Sequence, residues 1–183
     1  NASAQLKYFG ISVLGNAPRR KKLSSKFNSL IFWLTYPFIL PSPKIIHFTS
    51  INSFFNIDAA IVSVVGEDFP QEHLDLLSER NINIEGIEVV KGGKTFFWSG
   101  KYHNDMNSRD TLATELNVLA DFNPVVPQAY KNSDVVLLGN LHPIVQSGVL
   151  NQMSERPKLV VLDTMNFWMD CALPELLDVI KRV

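Results

Sequence analysis

Three short apolar runs in this sequence each end in polar groups able to hold a polar ligand. Gly66-Glu67-Asp68 follows Ile61-Val62-Ser63-Val64-Val65. Gly139-Asn140-Leu141-His142 follows Val135-Val136-Leu137-Leu138, and Asp163-Thr164-Met165-Asn166 follows Leu159-Val160-Val161-Leu162. A carboxylate accepts hydrogen bonds, an amide both donates and accepts, and an imidazole does either according to its tautomer. In an open parallel sheet, ligands bind beyond the carboxyl ends of the strands. Position alone therefore nominates Asp68, Asn140, His142, Asp163 and Asn166 as candidate site residues. Each has a plainer use. Asp68 is suited to cap a helix, Asn140 and His142 suit a loop, and Asp163 and Asn166 suit a turn.

Other chemistries lack their residues. The sequence has no G-x-x-x-x-G-K-[ST] phosphate loop, no G-x-G-x-x-G fingerprint and no Cys/His metal spacing. Gly92-Gly93-Lys94-Thr95 has the tail of a phosphate loop, but Glu88 stands where the first glycine belongs, and the segment leads into a strand. It reads as a turn. Cys171 is the only cysteine, so no intrachain disulfide forms. The adjacent Asp170 disfavours a thiolate, and Cys171 reads as a buried or bystander thiol that fits a reducing compartment.

The elements that would position these groups follow from periodicity. Ala59-Ala60-Ile61-Val62-Ser63-Val64-Val65 is rich in β-branched residues and suits a buried parallel strand. Asp68 and Gln71 have capping-box spacing around Pro70, predicting a helix to about Arg80 with Leu74, Leu77 and Leu76 inward and Asn81 as its stop. Ile82, Ile84, Ile87 and Val89 form an extended segment. From Lys94 to Tyr102 the pattern alternates. Phe96, Trp98 and Tyr102 share one face, and Thr95, Ser99 and Lys101 the other. His103-Asn104-Asp105-Met106-Asn107 is turn chemistry, and the alternation from Thr111 to Val118 is a return strand, giving an antiparallel hairpin over about 94–118. Further on, Pro127 to Lys131 is a short helix or turn. Pro143 opens a helix with Val145, Val149 and Met153 on one stripe. Pro174 opens a last helix with Leu173, Leu176, Leu177 and Ile180 inward. Strand and helix at this spacing predict a mainly parallel α/β sheet with right-handed crossovers.

The bulk properties bound the class. Of the 183 residues 46% are apolar and 19% charged, which is ordinary for a globular chain with a real core, and the net charge of −1 points to neither a nucleic acid nor a membrane as partner. The charge is uneven: residues 1–60 hold seven Lys/Arg and one acid, residues 61–183 ten Lys/Arg and seventeen acids. Residues 1–52 carry the basic run Arg19-Arg20-Lys21-Lys22 and an apolar, aromatic-rich stretch at 30–40, too short to span a bilayer. They read as an irregular lead of different origin, intron-derived or out of frame, joined near Ser53. At the other end, Asp178 to Val183 run on in apolar period without a stop signal, so the chain is expected to continue.

Taken together, these residues resemble a known family. Val64-Val65-Gly66-Glu67-Asp68-Phe69 and Asn83-Ile84-Glu85-Gly86-Ile87 look like the early βαβ stretch of the PfkB-type (ribokinase-like) carbohydrate kinases. Lys94-Thr95-Phe96-Phe97-Trp98-Ser99-Gly100-Lys101-Tyr102 looks like a lid strand of that family. Leu137-Leu138-Gly139-Asn140-Leu141-His142-Pro143 and Leu162-Asp163-Thr164-Met165-Asn166-Phe167-Trp168 are similar to its later strand ends. The resemblance covers about 53–183. It implies a ribokinase-like sheet flanked by helices with a small β lid, and ATP-dependent phosphoryl transfer, with Mg²⁺, to a hydroxyl of a sugar or nucleoside. It implies Asn140 and His142 on the substrate side, with Phe96, Trp98 and Tyr102 in the lid. Asp163 and Asn166 fall on the phosphate side. Separately, a lid hairpin with an open edge can pair between chains, which would give a homodimer through the lid, and the single thiol suits the cytoplasm. The family's Gly-x-Gly-Asp and N-x-x-E elements do not occur here, nor does its paired-glycine substrate motif. The catalytic Asp is thus expected beyond Val183, and the chain alone is expected to be inactive. Two readings compete: a non-catalytic α/β sugar-binding module, and a Rossmann-type oxidoreductase, which the missing glycine fingerprint disfavours.

Overall fold

The computed structural model describes residues 3–6, 10–14, 57–104 and 108–183. Two sheets organise them. The larger has five strands in the order β4-β3-β2-β7-β8, built from β2 (Gly10–Leu14), β3 (Ala59–Gly66), β4 (Ile82–Val90), β7 (Val135–Leu138) and β8 (Leu159–Leu162). β3 pairs in parallel with β4, and β7 with β8, while β2 runs antiparallel to both β3 and β7. The four later strands therefore share one direction, and their carboxyl ends lie along one edge. The smaller sheet is the expected ribbon, β5 (Phe97–Tyr102) against β6 (Arg109–Glu115), with β1 (Ser3–Leu6) added on the outer side of β5.

β1 and β2 correct the reading of 1–52 as an irregular lead, since both lie within it. Their runs are four and five residues long, too short for a period to stand out. Their partners lie far along the chain: Ser12 sits opposite both Ile61 and Leu137. Pairing of that kind is non-local and leaves no local signature. The apolar stretch at 30–40 and the basic run lie outside the described residues.

β3 is buried along all eight residues because both faces of the sheet are covered there. On one face Ala60, Val62 and Val64 join Val136, Leu138, Leu141, Val149, Leu150 and Val179, with Phe122, Val126 and Tyr130 from the connecting segment. On the other, Ile61 packs with Leu77 and Ile82. Leu77 belongs to α1 (Gln71–Glu79), which turns Leu74 and Leu77 inward and leaves Leu76 exposed. The helix stops where expected, with Asn81 in the left-handed region at φ 55°. α2 (Pro143–Gln152) opens at its proline and sets Val145 and Val149, with Met153 just past its end, against the core. A short α3 (Asn166–Cys171) precedes α4 (Leu173–Ile180) and was not anticipated.

α4 departs from expectation in its facing. Leu176 and Val179 are buried, but Leu173, Leu177 and Ile180 are each about 45% exposed. At 100° per residue the apolar sector of this helix is roughly 160° wide, and only the half that faces α2 and the core is covered. Cys171 is exposed rather than buried. Among the described residues no helix is long and apolar enough to cross a membrane.

Candidate functional site

The three polar strand ends come together along one edge because β3, β7 and β8 point the same way. β2 lies between β3 and β7, which sets their tips roughly 10 Å apart, two strand spacings. The ribbon rises from the same edge. β4 ends level with the tip of β3, Val90 opposite Gly66, and the chain then turns through Lys91 and Gly92 into the base of the ribbon. The Gly92-Gly93 turn uses a true positive φ of 69° at Gly92, whose N–H donates to Glu67 Oε2 at 2.9 Å.

At the first tip, Asp68 is not the helix cap that its spacing with Gln71 suggests. The cap position is Pro70, and no side chain bonds there. Asp68 Oδ1 instead accepts from both the backbone N–H and the hydroxyl of Thr95, each at 2.7 Å. Thr95 Oγ1 in turn accepts from the N–H of Gly66 at 2.9 Å. The tip has no room for a side chain at Gly66, where a Cβ would lie 2.4 Å from the Gly93 carbonyl oxygen.

The second and third tips form one cluster. Trp168, on α3, donates its indole N–H to Asn140 Oδ1 at 2.8 Å, and its ring meets His142 edge-to-face at 5.0 Å. Phe167 meets the same indole edge-on at 4.9 Å. His142 caps α2, its Nδ1 accepting from the N–H of Ile144 at 3.2 Å. Gln146, fully buried, ties the two strand ends together by donating to the carbonyls of Gly139 at 2.7 Å and Asp163 at 3.2 Å. Two buried polar atoms beside this cluster, Gln146 Oε1 and Thr164 Oγ1, have no hydrogen-bond partner. The amide NH₂ of Asn140, Nε2 of His142 and the side chains of Asp163 and Asn166 are likewise not engaged by described residues. Donors, acceptors and one carboxylate thus remain free along a rim whose backbone is fixed from beneath.

The ribbon residues fall in different places. Phe96 is buried at the base. Trp98 lies along its strand over Gly100, where a Cβ would come within 2.2 Å of the indole, and the Arg109 guanidinium stands 5.7 Å from the ring centroid. Tyr102, half-buried, is opposite Arg109 further out. Trp168 and Thr95 were missed as functional positions by sequence reasoning. An aromatic residue six positions past a strand end was the available signal for the first, and a threonine two positions after a double glycine for the second.

No cluster of three His, Cys, Asp or Glu side chains among the described residues is placed to hold a metal ion. A cavity of about 290 Å³ lies at the opposite edge of the sheet, past the end of α2 and before β8, lined by Leu150, Met153, Pro157, Val160, Arg156 and Arg182 among others.

No protein-family model matches the sequence, and no curated protein matches it. Among solved structures the chain is similar to the nucleoside kinase of Methanocaldococcus jannaschii, an archaeal member of the ribokinase family. The TM-score is 0.57 at 14% identity, over 99% of this chain and 55% of that one. The chain thus spans about half the length of the kinase it matches. At this identity the likeness concerns architecture: the chain has a ribokinase-like α/β fold, with a mainly parallel sheet, helices and a smaller antiparallel β-sheet.

Proposed function

We propose that this chain carries the acceptor-binding edge and lid of a kinase that transfers the γ-phosphoryl group of ATP to a hydroxyl of a sugar or nucleoside. The observation that carries this reading is the shared edge. The tips of β3, β7 and β8 share one edge, the ribbon is rooted beside the tip of β3, and Asn140, His142, Asp163 and Asn166 offer polar groups not engaged by described residues. Such groups bind and orient the hydroxyls of a polyol, while Trp98 and Tyr102 in the ribbon would cover it and exclude water. Asp163 and Asn166 take the side nearer the phosphates. No three His, Cys, Asp or Glu side chains cluster among the described residues, and the Gly-x-Gly-Asp element that would supply an anion hole and a base is absent from the sequence. No chemical step is therefore assigned to this chain. Its part is to hold and align the acceptor.

The missing Gly-x-Gly-Asp equally favours a second reading, a non-catalytic sugar-binding module on the same fold. Both readings place the ligand at the same edge. β6 is the outer strand of the ribbon, and its free edge is where a second copy would pair in a lid-to-lid dimer. The single cysteine suits the reducing cytoplasm.

The test combines a thermal-shift panel of sugars and nucleosides with a coupled ADP-release assay on the full chain. The expected result is stabilisation by at least one polyhydroxy ligand with no ADP release. Robust turnover contradicts the assignment of an acceptor-holding role alone, and a panel in which nothing stabilises the chain contradicts both readings.

A further inference from the structure

One residue, just ahead of β5, gathers an unusual number of hydrogen bonds at the base of the ribbon. Thr95 is 4% exposed. Its N–H and its hydroxyl both donate to Asp68 Oδ1, its Oγ1 accepts from the Gly66 N–H, and its carbonyl accepts from Asn117 Nδ2 at 2.9 Å. The neighbouring Lys94 carbonyl accepts from the Val118 N–H at 3.1 Å. Both ends of the ribbon, the start of β5 and the exit from β6, are thus fastened at Thr95, and Thr95 is fastened to the tip of β3. Asn117 holds a positive φ of 49° to make its bond, a conformation uncommon outside glycine and held only where surroundings over-determine it. The contact of Gly66 with Gly93, Lys94 and Thr95 leaves no slack in the backbone.

We propose that Thr95 and Asp68 are positioning residues that set the angle of the β5–β6 ribbon over the sheet edge. The carboxylate accepts two short bonds, and charge-assisted bonds of this length are the stronger kind. Beyond this root β5 is paired with β1 from Trp98 to Lys101, while Lys101, Thr111, Leu112, Thr114 and Glu115 are exposed; the side-chain bonds that tie the ribbon to the tip of β3 lie at the root. Through the ribbon, Thr95 and Asp68 would place Trp98 and Tyr102 over the acceptor. That last link rests on the kinase reading, whereas the effect on the ribbon does not.

The experiment is region-resolved hydrogen–deuterium exchange on the full chain without nucleotide, comparing the parent with Thr95→Val, Thr95→Ser and Asp68→Ala. Valine keeps the shape and loses the hydroxyl bonds; serine keeps them. The expected result is exchange at least tenfold faster across β5 and β6 in Thr95→Val and Asp68→Ala, parental exchange in Thr95→Ser, and unchanged exchange in β7 and β8. Ribbon exchange within twofold of the parent in both variants overturns the proposal, as does acceleration spread equally over β7 and β8. Asp68→Ala leaves the packing at Thr95 intact, so the comparison stands if Thr95→Val fails to fold. A parallel binding measurement with any ligand of the thermal-shift panel reports on the kinase reading alone. Absence of binding would count against that reading and leave the ribbon result standing.

Discussion

Asn140 shows how one side chain can be half engaged by the fold. Its carbonyl oxygen is held by the Trp168 indole at 2.8 Å, which fixes the amide plane and leaves the NH₂ group facing other partners. Trp168→Phe keeps most of the ring packing and removes the donor. Equilibrium urea unfolding followed by circular dichroism is expected to show a loss of about 1 kcal/mol, the usual net worth of such a bond, and ligand affinity is expected to fall with it. Tyr130 is a second informative residue, buried against the core below the sheet. Burial, and then the Glu85 carboxylate, push its phenol up from the ordinary 10.0 to about 12, partly opposed by the backbone of Gly86 and Glu85. The folded chain thus keeps this proton to higher pH than the unfolded chain does. The stabilisation is complete below about pH 10 and is lost as pH rises from 10 through 12. Urea midpoints measured across that window should decline less steeply in Tyr130→Phe than in the parent.

Among the elements, the tip of β3 and the root of the ribbon are pressed together without side-chain space. Gly66→Ala would put a methyl 2.4 Å from the Gly93 carbonyl oxygen and 2.5 Å from Thr95 N. These are backbone atoms that cannot step aside as a flexible side chain does. A loss of roughly 1–3 kcal/mol is expected, measurable as a lowered urea midpoint. A midpoint equal to the parent's would show that the contact is looser than described. β3, β7 and β8 were readable as compact apolar runs followed by helices or turns, and β5 and β6 as alternating segments around a polar turn. The stop of α1 at Asn81, the start of α2 at Pro143 and the turn at Gly92-Gly93 were legible for the same local reasons. β1 and β2 were not, because their identity lies in partners tens of residues away. The facing of α4 was misread because its apolar sector is wider than the surface available to cover it. Asp68 was misread because capping-box spacing and a bond to a distant threonine begin from the same residue type, and only the tertiary fold chooses between them. Asn140, His142, Asp163 and Asn166 were nominated from position alone, and they do stand on the rim where their strands end. The indole that joins two of them needed the fold to be seen.

For the whole molecule, the polarity of the sheet separates two edges with different character. The carboxyl edge carries the ribbon, the fixed Asn140–Trp168–His142 cluster and the unengaged Asp163 and Asn166. The amino edge carries the cavity between the end of α2 and the start of β8, with Arg156 and Arg182 in its lining. Arg182 is already bonded to Ser147 through both its hydroxyl and its carbonyl. If the carboxyl edge holds the acceptor, a polyhydroxy ligand chooses the first edge. An amide-resolved NMR titration of the full chain, with whichever sugar or nucleoside stabilises it most, reads that choice directly. The account predicts shift changes concentrated at residues 139–142 and 163–166 and along the ribbon at 95–102. Changes concentrated instead at residues 150–160 and at Arg182, with the carboxyl edge silent, would contradict it.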